Sequence, residues 1–240
     1  MLSRSLLLKI LRNAISHSLI VATSSVGFLY FKILNRVKVI GRKNIPRRGK
    51  GTLLVSNHQS MYDSFIIGVA GYFPELIVYP SRPPYNLAAR ENFFGNWLKK
   101  VFFSLLRAIP TDRSRFSGSL LKKVMAILKR SNLCVFYQGR RSFNLEAARD
   151  GAAFVIASSS PTPTVIPVYL ERTNHLFGGA PGKKGIARWL PRPPFFGHKA
   201  TVIFGPPIDF GDLLRDGKSG KLRQNITDRI VSTIQGLAQS

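Results

Sequence analysis

In the stretch LLVSNHQSMYDSF, residues 53–65, an apolar run stops at Ser56 and four residues separate His58 from Asp63. An imidazole can take a proton at one ring nitrogen while a carboxylate holds the other and fixes the tautomer. That pairing is the chemistry of a general base with its orienting acid. The same residues also describe a buried strand, a polar turn and a helix cap, and the spacing alone does not separate the two. A covalent route would need a nucleophile beside the base. Ser56 and Ser60 flank the histidine, but no Gly-x-Ser-x-Gly elbow presents either, and Cys134, the only cysteine, lies inside the apolar run LCVFY. His17, His58, His175 and His198 are scattered without ligand spacing, so no metal site is expected.

Positioning such a pair requires a strand that ends where a helix begins. Short apolar runs rich in β-branched and aromatic residues fall at 52–56, 76–80, 133–137, 164–170 and 200–205, preceded by an alternating RVKVIG. Helical periodicity falls at about 62–71, 93–106, 116–131 and 146–158, and in a C-terminal stretch with Leu222, Ile226, Ile230 and Ile234. Strands alternating with helices predict an α/β domain, a layered sheet flanked by helices. In such sheets, sites gather at the strand ends. A helix starting near Ser60 or Met61 would place Asp63 in its first turns, where the helix dipole favours a carboxylate.

Charge narrows the partners. The 240 residues hold 36 Lys and Arg against 11 Asp and Glu, a net +25, with an ordinary hydrophobic fraction of 45%. A polyanionic partner follows, either nucleic acid or the anionic face of a membrane. The strand runs are nearly uncharged and no nucleic-acid-binding spacing occurs, so nucleic acid is not expected. The N-terminus favours lipid. Leu7, Ile10, Leu11, Ala14 and Ile15 recur at helical spacing with Lys9 and Arg12 on another face, and no Asp, Glu, Lys or Arg occurs from Asn13 to Phe31. Serines and Thr23 dilute that stretch and basic residues flank both its ends. The expectation is therefore a helical hairpin in one leaflet over residues 1–35, with residues 36–240 as the second unit. A helix pair packed on the domain and a cleaved leader are the alternatives. The segment 174–199, with Trp189, Phe195 and Phe196 among basic residues, reads as a loop that touches headgroups or covers a site, or as a plain solvated loop.

Four stretches together carry a resemblance. NHQSMYD resembles the His-x4-Asp motif of the glycerolipid acyltransferases. The stretch 89–113, with Arg90, Glu91 and a closing Asp112-Arg113, looks like their second block. FYQGRRS, 136–142, is similar to Phe-Pro-Glu-Gly-Thr-Arg-Ser, and VIPVYL, 165–170, to their proline-centred last block. The resemblance covers 52–170. It implies an enzyme that moves an acyl group from an acyl carrier protein or coenzyme A thioester, as co-substrate, to the hydroxyl of a lysophospholipid, lysophosphatidate first among them. No further cofactor is implied, and the place of work is a membrane, on its cytoplasmic face. It makes His58 the base and Asp63 its orienter. Arg113 and Arg141 take the positions of phosphate ligands, with Arg140 added where the family has Thr, and Gly139 is a turn glycine. Gln138 replaces the family's Glu and Tyr137 its Pro. The expected consequence is a changed preference among acceptors, with Gln138 in the headgroup site; a noncatalytic lipid-binding relative is the alternative.

Overall fold

The computed structural model of the protein describes residues 3–47, 50–79, 81–112, 117–177, 190–215 and 221–240. Its strands are β1 (Arg36–Ile40), β2 (Thr52–Ser56), β3 (Tyr85–Ala89), β4 (Ala108–Thr111), β5 (Leu133–Phe136), β6 (Thr164–Glu171) and β7 (Lys199–Phe204). They form one sheet in the order β1-β7-β6-β2-β5-β3-β4. All neighbours are parallel except β6 and β7. β2 therefore lies between β5 and β6, with Ser56 level with Phe136 on one side and Val168 on the other. The loops that follow β2, β5 and β6 leave the same edge of the sheet.

The helices are α1 (Arg4–Leu29), α2 (Asp63–Tyr72), α3 (Arg90–Phe93), α4 (Trp97–Leu105), α5 (Gly118–Leu128), α6 (Gly151–Ser158), α7 (Gly211–Arg215) and α8 (Leu222–Ala238). Every residue of β2 is buried, because both faces of the sheet are covered. Leu54, Ile166, Val168 and Leu170 point into a core shared with α2 and the second half of α1. Leu53, Val55, Val135 and Val165 point into the opposite core, shared with α5, α6 and α8. The result is a helix–sheet–helix sandwich.

Several expectations are corrected. The N-terminal segment is one continuous helix that runs into a π turn at Tyr30–Leu34, with no hairpin. Two of the polar residues thought to interrupt it find partners without breaking it: the Thr23 hydroxyl donates to the Leu19 carbonyl at 2.7 Å, within the helix, and the Ser16 hydroxyl to the Leu105 carbonyl, outside it. Its second half docks through Ile20, Ser24 and Gly27, while 3–15 is exposed on all sides. Gly27 is needed there, since a Cβ would come within 2.5 Å of the Phe65 ring on α2. The described part of the run 76–80, residues 76–79, is no strand. Glu75–Ile77 is a 3-10 turn of which only Leu76 is buried, and Ile77, Val78 and Tyr79 face outward, so apolar composition here has no sheet neighbour to pair with. The strands on that side are β3 and β4, whose YNLAA and AIPT carry weak apolar patterns. The helix expected over 93–106 is broken at 94–96, where Asn96 caps α4 by accepting from the Lys99 N–H at 2.9 Å. The helix expected from 146 starts at Gly151.

Candidate active site

Asp63 is the first residue of α2 and is fully buried. A buried carboxylate must have its oxygens satisfied, and here both are. Oδ2 accepts from the backbone N–H groups of Gln59 at 2.6 Å and Ser60 at 2.8 Å, and from His58 Nδ1 at 2.9 Å. Oδ1 accepts from the Thr173 hydroxyl at 2.7 Å. With the carboxylate as acceptor, Nδ1 carries the proton and Nε2 keeps its lone pair. The imidazole also stacks on Phe136, centroids 3.9 Å apart and planes 10° from parallel. The register between β2 and β5 sets up that stack, because Phe136 pairs with Ser56 two residues before the histidine.

The turn that carries His58 is fastened on both sides. Asn57 bonds both backbone groups of Leu170: its amide donates to the carbonyl at 2.9 Å, and its oxygen accepts from the N–H at 2.7 Å. The Gln59 side-chain oxygen accepts from the Thr173 N–H at 3.2 Å. Toward β5, the His58 N–H donates to Gln138 Oε1 at 2.6 Å, and the His58 carbonyl accepts from the Ser142 N–H at 2.8 Å. Three loops from adjacent strand ends thus hold one imidazole.

The ring lies on the wall of a cavity of about 650 Å³. Its walls are mostly apolar, with Ile20 of α1, Phe65 of α2, and Phe93, Phe103 and Leu106 around α3 and α4. Arg140, Arg141 and Arg149 supply positive charge, with Asp112 and Asp150 beside them. Gly139 also lines it, in the left-handed region at φ +66°, and a Cβ there would meet Arg149 Cδ at 2.6 Å. The glycine is thus required both by the turn and by the arginine behind it. Burial pushes the Tyr62 phenol, another wall residue, up to about 12, which keeps it neutral.

The expected residues fare differently. His58 and Asp63 are in contact, and Gly139, Arg140 and Arg141 share the cavity with the imidazole. Arg113 lies outside the described residues. Gln138 is corrected: it is 2% exposed and does not face the cavity. Its oxygen is taken by the His58 N–H, and its NH₂ donates to the carbonyls of Asn144 at 2.6 Å and Ser142 at 3.3 Å. It ties two loops together and offers no atom to a headgroup. Cys134 is fully buried, and burial, with the Asp63 carboxylate adding to it, pushes its thiol far up, so no thiolate is at hand. Ser60 is buried with its hydroxyl accepting from the Tyr62 N–H. Ser56, Ser60 and Cys134, the nucleophiles weighed in the sequence, are thus all buried and none of them lines the cavity that the imidazole faces. Asn57, beside the histidine, was visible in the sequence without a role, whereas Thr173 and Arg149 carry no local pattern and went unnoticed.

Comparison with known proteins places the chain in a family. The chain is 25% identical over 216 residues, 85% of its length, to a 1-acyl-sn-glycerol-3-phosphate acyltransferase of Saccharomyces cerevisiae, and 28% identical over 145 residues, 58% of its length, to an uncharacterized acyltransferase of Schizosaccharomyces pombe. The chain spans 61% and 48% of the lengths of those two relatives. Among solved structures, its fold matches the 1-acyl-sn-glycerophosphate acyltransferase PlsC of Thermotoga maritima with a TM-score of 0.61 at 18% identity, over 100% of this chain and 85% of that one. The family described as Acyltransferase matches residues 36–171, from β1 to the end of β6, and the chain belongs to that family.

Proposed function

We propose that the protein acylates a lysophospholipid hydroxyl, taking the acyl group from a coenzyme A or acyl carrier protein thioester, with lysophosphatidate as the acceptor it suits best. The observation that carries this reading is the Asp63–His58 pair on the wall of a cavity that is apolar along most of its length and basic near the histidine. An apolar wall suits acyl chains, and guanidinium groups suit a phosphate through paired hydrogen bonds. His58 Nε2 takes the acceptor's hydroxyl proton as its oxygen attacks the thioester carbonyl. The tetrahedral intermediate collapses with loss of the thiolate, which receives the proton back from the imidazolium. Asp63, held by Thr173 and two backbone N–H groups, stabilises that imidazolium. Arg140, Arg141 and Arg149 line the cavity, as does Arg107, and the first three are proposed for a headgroup phosphate; Arg113 is carried here from the resemblance alone.

Membrane attachment belongs to the same reading. The helical segment Arg4–Leu34 is long and apolar enough to cross a membrane by length and composition. Its exposed first half, at 1.5 Å per residue, reaches about 18 Å, close to the roughly 15 Å hydrocarbon depth of one leaflet. The cytoplasmic face is proposed because basic residues sit at both ends of the helix.

The test offers purified protein in phospholipid vesicles an acyl thioester and a panel of lyso-acceptors, and identifies products by mass spectrometry. The expected product is the diacyl lipid, formed fastest with lysophosphatidate and lost with His58→Ala. Absence of any acylated lipid with every acceptor and both thioesters would overturn the assignment in favour of a lipid-binding relative.

A further inference from the structure

We infer that α4 is a second membrane-contacting element, fitted to an anionic phospholipid surface and continuous with the exposed half of α1. The inference goes beyond acyl transfer and does not depend on it. Asn96 caps α4, yet none of its residues is buried. Trp97, Leu98, Val101 and Phe102 are 71%, 59%, 51% and 42% exposed. Spacings of one, four and five residues put them on one side of the helix. Such a stripe on a water-facing helix is normally polar. Its occupant is indicated by three things. Lys99 and Lys100, both exposed, flank the stripe and reach toward phosphates while their stems lie along apolar surface. The net charge of +25 favours an anionic surface over a neutral partner. The stripe also adjoins the helix read above as the anchor: Ser16 of α1 donates to the Leu105 carbonyl at 2.5 Å, and Leu8, Leu11 and Ile15 of α1 are exposed in the half that leads away from that bond. Phe102 at the margin of the stripe and Phe103 on the other side of α4 both wall the cavity. With its outer side in the headgroup layer, α4 becomes the partition between bilayer and cavity.

Trp97 reports on this directly, because Trp189 is the only other tryptophan. Full-length protein carrying Trp189→Phe would be bound to vesicles of phosphatidylglycerol and phosphatidylcholine, with or without brominated acyl chains. Trp97 emission should be roughly twofold lower in the brominated vesicles and blue-shifted relative to detergent-free buffer. Leu98→Glu with Val101→Glu should remove most of that quenching and weaken partitioning into the anionic vesicles about tenfold. Equal Trp97 emission in the two vesicles, with the protein sedimenting on both, would mean that α1 alone touches lipid and would overturn the inference. Emission that shifts with protein concentration in the absence of vesicles would assign the stripe to a second copy of the chain and overturn it equally. Neither readout uses turnover, so an inactive protein with quenched Trp97 would defeat the proposed reaction and leave this surface standing.

Discussion

The turn after β2 and the first half of α1 are opposites. Around His58 each polar side chain from Asn57 to Ser60 has a protein partner, and Asp63 uses both oxygens. Along 3–15 no residue is buried, although most of the large side chains are apolar. The turn is over-determined by its own chain, so its one outward-facing group, the imidazole, is set at a fixed place against whatever fills the cavity. Such preorganisation is what a base needs. The helix is under-determined by the chain, so what fixes it lies outside: the apolar surface left in water calls for lipid. Substitutions in the first region should change chemistry without changing location, and those in the second should do the reverse.

The largest effect is expected at His58. His58→Ala removes the base and should lower turnover about 10²- to 10⁴-fold, while sedimentation with vesicles stays as in the parent. Asp63→Asn should act on the same step by releasing the tautomer. Since Oδ2 accepts from two backbone N–H groups, a misplaced amide NH₂ there would also loosen the turn. A folded His58→Ala protein that keeps most of its activity would end the comparison, because the imidazole would then be no more than a filler of its turn. The converse substitution is Leu8→Glu with Leu11→Glu, on the exposed half of α1. Two carboxylates placed against an anionic surface should lower vesicle partitioning by roughly tenfold or more, measured by flotation. Turnover of a monomeric short-chain acceptor, free in solution, should stay near the parent value.

How much of this could be read beforehand depended on how local the cause was. The β2 run, the turn and the start of α2 are adjacent in sequence, so strand, base and acid were visible together. Apolar strands at 133–136 and 164–171 were legible for the same reason. β3 and β4 were not, since YNLAA and AIPT form strands because parallel neighbours pair with them, and that pairing is a tertiary fact. The reverse error at 76–80 has the same root: LIVYP has strand composition and no neighbour. Thr173 reaches Asp63 across 110 positions of sequence, through strand order that no spacing announces. The single long α1 was hidden by its hydroxyl residues, which signal breaks in water; in the structure Thr23 bonds back to the Leu19 carbonyl and Ser16 donates across to Leu105, so neither interrupts the helix.

Gln138 sharpens the contrast from within the first region. Its position in a headgroup site would make Gln138→Glu a change in acceptor preference. The observed bonds predict otherwise. A carboxylate keeps the bond from the His58 N–H but cannot donate, and its second oxygen would face the carbonyls of Asn144 and Ser142. Leaving such buried groups opposed costs on the order of 1–3 kcal/mol. Gln138→Glu should therefore lower thermal stability and reduce turnover about tenfold for anionic and uncharged acceptors alike. A shift in their ranking with stability unchanged would return Gln138 to the headgroup site.

The smallest expected effect is also the most discriminating. Thr173 touches only Asp63 among the described catalytic groups, donating to the oxygen that the histidine does not use. It is buried, so Thr173→Val keeps shape and volume while leaving Oδ1 without its donor. Losing a hydrogen bond to a buried charged acceptor costs about 1.5–3 kcal/mol, and only the part that grows as the imidazolium forms appears in the rate. We therefore expect kcat to fall roughly five- to tenfold with KM for the acceptor little changed, since Thr173 does not line the cavity. Thr173→Ser restores the hydroxyl without the methyl and should recover most of kcat even if the lost methyl lowers Tm. A purely structural threonine predicts the opposite pattern: Val, the better-packed replacement, would keep kcat, and Ser would lose whatever stability loss takes away. Measuring kcat and Tm for both variants decides whether the loop after β6 takes part in the chemistry of the turn after β2 or merely packs beside it.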